Sequence, residues 1–299
     1  MDFRTIGRQN VIKSYFLMTL MVFLLVGFLD LIAYFYSTYS LLPITIFAVI
    51  FGSLSTIYSY YNSDKLVLRL TKTTLIDHDQ NPQLYNLVQE VCLAAGLPLP
   101  KIGIVEDDAP NAFATGRDED HAVIVFTTRI LEIMDREELQ GVVAHELAHV
   151  KNRDTLVNAV VTVTVGIIVV ISDILLRTSG LASSGNNKKG SGSPIALVFL
   201  LIAAILTPIA AAMIQASISR RRESLADTSA VGFTRNPSGL RQALEKLQGD
   251  NTVVKARNKS VAHLWLEDPL PKKKLNLFST HPTLESRIEL LRRMESNPS

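Results

Sequence analysis

The chain has 299 residues, 47% of them hydrophobic, with a mean hydropathy of +0.23 and a formal net charge of +2. It is too apolar for an ordinary soluble enzyme and too nearly neutral to support nucleic-acid binding. Its one cysteine, Cys92, excludes an internal disulfide and sits in a helical pattern, LVQEVCLAAG, as a small core residue would.

The apolar residues gather in four runs, at 15–36, 41–61, 156–176 and 195–215. As a helix rising about 1.5 Å per residue, each is long enough to span a hydrocarbon core of ~30 Å. The first run is too long for the core of a signal peptide and no A-x-A-like site follows it, so it is expected to be a retained anchor. Asp30 and Asp173 lie near run ends, where a charge can snorkel to the interface. Tyr34, Tyr36, Tyr39, Tyr58, Tyr60 and Tyr61 fall where an interfacial aromatic belt belongs. Arg4, Arg8 and Lys13 precede the first run; Lys65, Arg69 and Lys72 follow the second; Arg220, Arg221 and Arg222 follow the fourth. The positive-inside rule then places both termini and the polar part in the cytoplasm. Arg177, Lys188 and Lys189 lie on the polar loop joining the third and fourth runs and blur that rule there. Those two runs can cross as a full hairpin or dip as a partly submerged one, and their length favours the first.

The expected organisation is an N-terminal transmembrane hairpin (1–61), the first half of a polar domain (62–155), a second hairpin (156–215) and the second half of the domain (216–299). Within the first half, PQLYNLVQEVCLAAG reads as a helix ending at Gly96. A β-branched strand follows at Ile102–Val105. Ala112–Thr115 and Ala122–Phe126 read as strands of a hairpin turning at Gly116–Asp120. Asp135 and Glu138 form a capping-box variant, so a helix should start there, with Leu139, Val142, Val143 and Leu147 as its apolar spacing. The second half should be helical at Glu223–Phe233, Ser238–Leu247, 252–265 and from about Pro282. The fold class is therefore mainly α with a small β-sheet, in a polytopic chain with four transmembrane helices.

The predicted helix from Asp135 carries His145-Glu146-Leu147-Ala148-His149, an H-E-x-x-H pattern. Positions i and i+4 share a helix face, so both imidazoles can reach one metal ion. Glu146 stands beside His145 and can accept a proton from water that zinc has acidified to a pKa of about 7. A catalytic zinc takes three protein ligands, and two histidines with a carboxylate suit it. Glu223, in SRRRESLADTSA, is the candidate third ligand, with Asp227 one turn on. The same pair could form a solvated salt-bridge face with the nearby arginines. Height above the membrane favours the ligand reading. His149 lies seven residues before Leu156, about 10 Å of helix, and Glu223 eight residues after Gln215, about 12 Å. Asp227 could then hold the other ring nitrogen of a ligating histidine.

HELAHVKNRDT, RRRESLAD, PNAFATG and THPTLESRI, in this order among four apolar runs, resemble the HtpX-type membrane zinc metalloproteases of bacteria, relatives of the type I CaaX prenyl proteases. The resemblance covers essentially the whole chain. It implies a gluzincin-like metallopeptidase domain, one zinc ion per subunit held by His145, His149 and Glu223, Glu146 as general base and Asp227 as support. It also implies that His281 polarises the scissile carbonyl and Arg287 pairs with a carboxylate, although Thr280 and Pro282 make helix capping an equal reading of that motif. Asn111, Ala112, Phe113 and Ala114 look like the family's substrate-binding edge strand, or are a simple hairpin strand. The implied role is quality control at the cytoplasmic face of the inner membrane. The implied partners are the lipid bilayer, misfolded or damaged membrane proteins as substrates, and other quality-control proteases. A transporter or sensor with a regulatory metal is the alternative. It predicts polar residues lining the membrane runs, and these hold only scattered Thr, Ser and Asn with two end-placed acids.

Overall fold

The computed structural model describes residues 3–36, 42–162, 170, 173, 202, 220–250, 252, 266 and 283–296. Helix α1 (Phe3–Tyr36) and helix α2 (Leu42–Thr71) pack as a hairpin, tied near its bend by a 2.8 Å bond from Thr45 Oγ1 to Asp30 Oδ1. A run of large apolar side chains on α2, including Ile46, Phe47, Ile50, Phe51, Leu54 and Ile57, is exposed. Counting only the described residues, no helix is long and apolar enough to cross a membrane. The third and fourth apolar runs fall mostly outside those residues, as does the expected helix at 252–265.

Lys72, with φ of 55°, ends α2 and turns the chain into a four-stranded sheet. Its strands are β1 (Thr74–Ile76), β2 (Lys101–Val105), β3 (Ala112–Thr115) and β4 (Val123–Thr127), in the order β1-β2-β4-β3. β1 and β3 pair antiparallel with their neighbours, while β2 and β4 run parallel. The β3–β4 hairpin thus matches the sequence pattern. That pattern did not show the parallel pairing, the three-residue β1 or the short helix α4 (Thr128–Ile133). β4 takes the place between β2 and β3, which leaves β3 at the edge of the sheet, although every residue of both β3 and β4 is buried.

One face of the sheet packs on the end of α2, with Val67, Val105, Phe113, Val123 and Val125 in contact. The other faces the main core, built from helices α3 (Pro82–Ala95), α5 (Arg136–Lys151) and α7 (Pro237–Gly249). Between α5 and α7 in sequence lies α6 (Arg220–Thr234), and α8 (Leu284–Ser296) follows. Helix α3 shows the expected boundaries: Asn81 caps the Leu84 N–H, Pro82 fills the first turn, and Gly96 closes the end at φ of 67°. Cys92 is buried there, and burial pushes its thiol up to about 11.

Helix α5 starts at the anticipated capping box. Asp135 accepts from the N–H groups of Glu137 and Glu138 at 2.9 and 3.0 Å, and Glu138 Oε2 accepts from the Asp135 N–H at 2.8 Å. Gly141 lets α7 lie directly against α5, since a Cβ there would meet the backbone nitrogen of Leu240 at 2.5 Å. We therefore expect Gly141→Ala to lower stability by about 1–3 kcal/mol through overpacking, read as a shifted denaturant midpoint. An unchanged midpoint would show that the two helices can separate without cost.

Candidate metal centre

The first half of α5 supplies its caps and the second half its chemistry. His145 and Glu146 are almost wholly buried and His149 is partly exposed. Helix α6 packs along α5 and presents Glu223 and, one turn later, Asp227. One donor atom each from His145, His149 and Glu223 lies within 4.8 Å of the others. The two Nε2 atoms are 3.2 Å apart. Glu223 Oε2 is 3.6 Å from His145 Nε2, and Glu223 Oε1 is 3.7 Å from His149 Nε2. Donors at about 2.0–2.1 Å from a tetrahedral zinc ion stand roughly 3.3 Å from one another. Two imidazole nitrogens and a carboxylate at this spacing fit such an ion with small adjustment.

Both imidazoles are held from behind. His145 Nδ1 lies 3.0 Å from Asp227 Oδ1 and His149 Nδ1 lies 3.0 Å from Asp154 Oδ2, so each carboxylate can take a ring N–H and leave Nε2 as the metal donor. Asp227 in turn receives a two-pronged contact from Arg287 on α8. Nε donates to Oδ2 at 2.9 Å and Nη2 to Oδ1 at 2.7 Å. Nη2 also lies 3.3 Å from both ring nitrogens of His145, and Nη1 is 3.8 Å from Glu223 Oε2. Asp154 receives Arg222 at 3.3 Å.

The electrostatics follow from burial. Glu146, Glu223, Asp227 and Asp154 are four buried carboxylates, set against the guanidiniums of Arg287 and Arg222 and the nearby Lys13 amine. Burial raises the Glu146 carboxyl above its ordinary range, and the two histidines only partly oppose this. Burial would raise Asp227 too, but Arg287 and then His145 outweigh it and hold the carboxyl at about 2. Without a metal ion, burial acts to lower His149, yet Glu223 and Asp154 lift it to about 9. Burial works against the charge of Arg287 as well, and Asp227 and Glu223 keep it firmly protonated.

The four residues of the candidate edge strand lie on and beside β3. Asn111 O accepts from the Thr127 N–H, so by alternation the backbone groups of Ala112 and Ala114 point away from β4. The Leu266 N–H already donates to Ala112 O at 2.9 Å, and Asn111 Oδ1 accepts from the Ala112 N–H. Phe113 packs instead between the sheet and α2. His281 lies outside the described residues. His78 and His121 stand at the surface as single histidines should. Asp154 was not foreseen. In the run Lys151-Asn152-Arg153-Asp154 it reads as one more charged residue ahead of an apolar run.

Comparison with known proteins agrees with this geometry. The model of a family described as Peptidase family M48 matches residues 78–295. A protein described as Protease HtpX homolog from Tropheryma whipplei (strain Twist) is 42% identical over 236 residues, covering 79% of this chain and 80% of that one. Its namesake from Caldanaerobacter subterraneus subsp. tengcongensis is 38% identical over 289 residues, 95% of each. Among solved structures, S. mikatae Ste24p superposes with a TM-score of 0.52 at 20% identity, over 96% of this chain and 66% of the other, a likeness of fold.

Proposed function

This chain belongs to peptidase family M48, with relatives of the HtpX type, and from that premise we propose a membrane-embedded, zinc-dependent endopeptidase that cleaves misfolded or damaged membrane proteins at the cytoplasmic face. The observation that carries the reading is the convergence of His145 Nε2, His149 Nε2 and the Glu223 carboxylate, whose two oxygens stand 3.6 and 3.7 Å from those nitrogens, with Glu146 buried beside them.

Those three side chains would hold one zinc ion per subunit. Bound there, the ion supplies Lewis acidity, polarising a carbonyl and making water a ready proton donor. Glu146 is placed to take that proton and pass it to the leaving amine. Its buried place beside His145 keeps bulk water from competing for that proton. Asp227 and Asp154 keep the two imidazoles in the required tautomer. Arg287 holds Asp227 and also stands against His145 and Glu223. His281 is assigned to the scissile carbonyl from its motif. A peptide adding along β3 would find the Ala112 groups engaged by Leu266 and Asn111 and would pair at Ala114.

Membrane placement is supported by the exposed apolar run on α2, which water would disfavour and acyl chains would cover. Four spans, a cytoplasmic domain and residence in the bacterial inner membrane complete the proposal. A transporter or sensor with a regulatory metal would give Glu146 nothing to do in its buried place beside His145.

The test is cleavage of unfolded casein and of a model membrane protein by detergent-purified, zinc-loaded protein. We expect cleavage with about one zinc per chain. Glu223→Gln should weaken zinc binding by at least about tenfold in chelator competition. Bound zinc without cleavage of either substrate would sink the peptidase reading, and unchanged zinc affinity in the variant would remove Glu223 from the site.

A further inference from the structure

Behind His149, a chain of contacts continues out of the metal centre and ends on α1. Asp154 presents Oδ2 to His149 Nδ1, and its other oxygen, Oδ1, accepts from Asn10 Nδ2 at 2.8 Å. The same amide nitrogen donates to Asn152 O, also at 2.8 Å. Asn10 therefore uses both amide hydrogens on the turn that follows α5. That turn is unusual: Arg153 has φ of 56°, in the left-handed region. Helix α1 lies close along it, since a Cβ added at Gly7 would stand 3.9 Å from Arg153 Cγ. Asn10, Asn152 and Asp154 are all buried, and residues 10 and 154 are 144 positions apart in sequence.

Asn10 stands on α1 ahead of the apolar run at 15–36, and both hydrogens of its buried amide are used on this turn, which offsets the cost of desolvating them. A carboxylate held on one oxygen by a histidine can still rotate about its own axis; a second donor on the other oxygen stops it. Arg222 Nη1 donates to the same Oδ1 at 3.3 Å, a longer bond than the 2.8 Å one from Asn10.

We propose that Asn10 is a positioning residue of the metal centre. It fixes the Asp154 carboxylate, and through it the tautomer and ring angle of His149, so that α1 is part of the site as well as an anchor. This rests on the metal-site reading above.

The test is a double-mutant cycle on the full chain in detergent, with zinc affinity measured by chelator competition. The set is Asn10→Ala, Asp154→Ala, the double variant, and His145→Ala as control. Outer partners of metal-binding histidines typically contribute about 10–100-fold in affinity. We expect Asn10→Ala to weaken zinc binding roughly tenfold. Asp154→Ala should weaken it as much or more, and the double variant should match Asp154→Ala alone. That non-additivity is what a residue acting only through packing of α1 would fail to give. Effects that multiply in the double variant, or unchanged affinity in Asn10→Ala, would overturn the proposal. If Asn10→Ala does not fold, Asn10→Leu keeps the side-chain bulk without its donors and serves in the same cycle. Unchanged affinity in His145→Ala would instead overturn the metal-site reading itself.

Discussion

Glu146→Gln removes peptide cleavage by about 10²–10⁴-fold while zinc stays bound, the range expected when a positioned general base is lost. The substitution keeps the shape of a side chain that is 3% exposed and replaces a proton acceptor by an amide that cannot carry a proton. Glu146 is not among the three converging donors, so zinc affinity should change little. Its buried place also makes the effect clean. Gln keeps the volume of the buried side chain, so the fold should be retained. The measurement is single-turnover cleavage of a reporter peptide, with zinc content assayed in both proteins. Parental activity in the variant would remove Glu146 from the reaction. Loss of zinc with loss of activity would recast it as a ligand.

The second large effect is on stability. Arg287 ranks among the largest fully buried side chains and makes its two bonds to a carboxylate buried as deeply. Removing one partner of such a pair strands the other charge, at a cost of about 3–5 kcal/mol. Arg287→Met should therefore lower apoprotein stability by that order, measured by denaturant unfolding. Asp227→Ala in the same chain should recover part of it, because the stranded carboxylate is then gone. An additive double variant would show that the two groups are not coupled. The pair also predicts acid sensitivity. Asp227 is held at about 2 against a free value of 3.8, so its contribution is complete above about pH 4 and is lost as pH falls towards 2.

How far these features could be read from sequence depends on how local their cause is. Helix α5 was legible to its first residue because its start is written in four positions, Asp135 to Glu138, and the histidine spacing is a property of any helix. The β3–β4 hairpin was legible because alternation and a turn glycine lie within sixteen residues. The pairing of Glu223 with the histidines came from a loose argument about height above a membrane face, and α6 brings them together through packing on α5. Asp154 and Asn10 were not legible. Each looks ordinary in its own neighbourhood, and only the crossing of α1 over the turn after α5 joins them. The parallel β2–β4 pairing failed for the same reason, since nothing local in β2 names its neighbour.

The contacts that complete the metal centre run from Asn10 to Arg287, with α5 and α6 between them. A ribosome delivers these residues one after another. The H-E-x-x-H helix emerges long before its third carboxylate, and that carboxylate before the arginine that neutralises the base of the pocket. Until Glu223 has been made the two histidines lack their carboxylate partner, and until Arg287 follows, Asp227 lacks its guanidinium. The order of synthesis thus sets the order in which the centre can close.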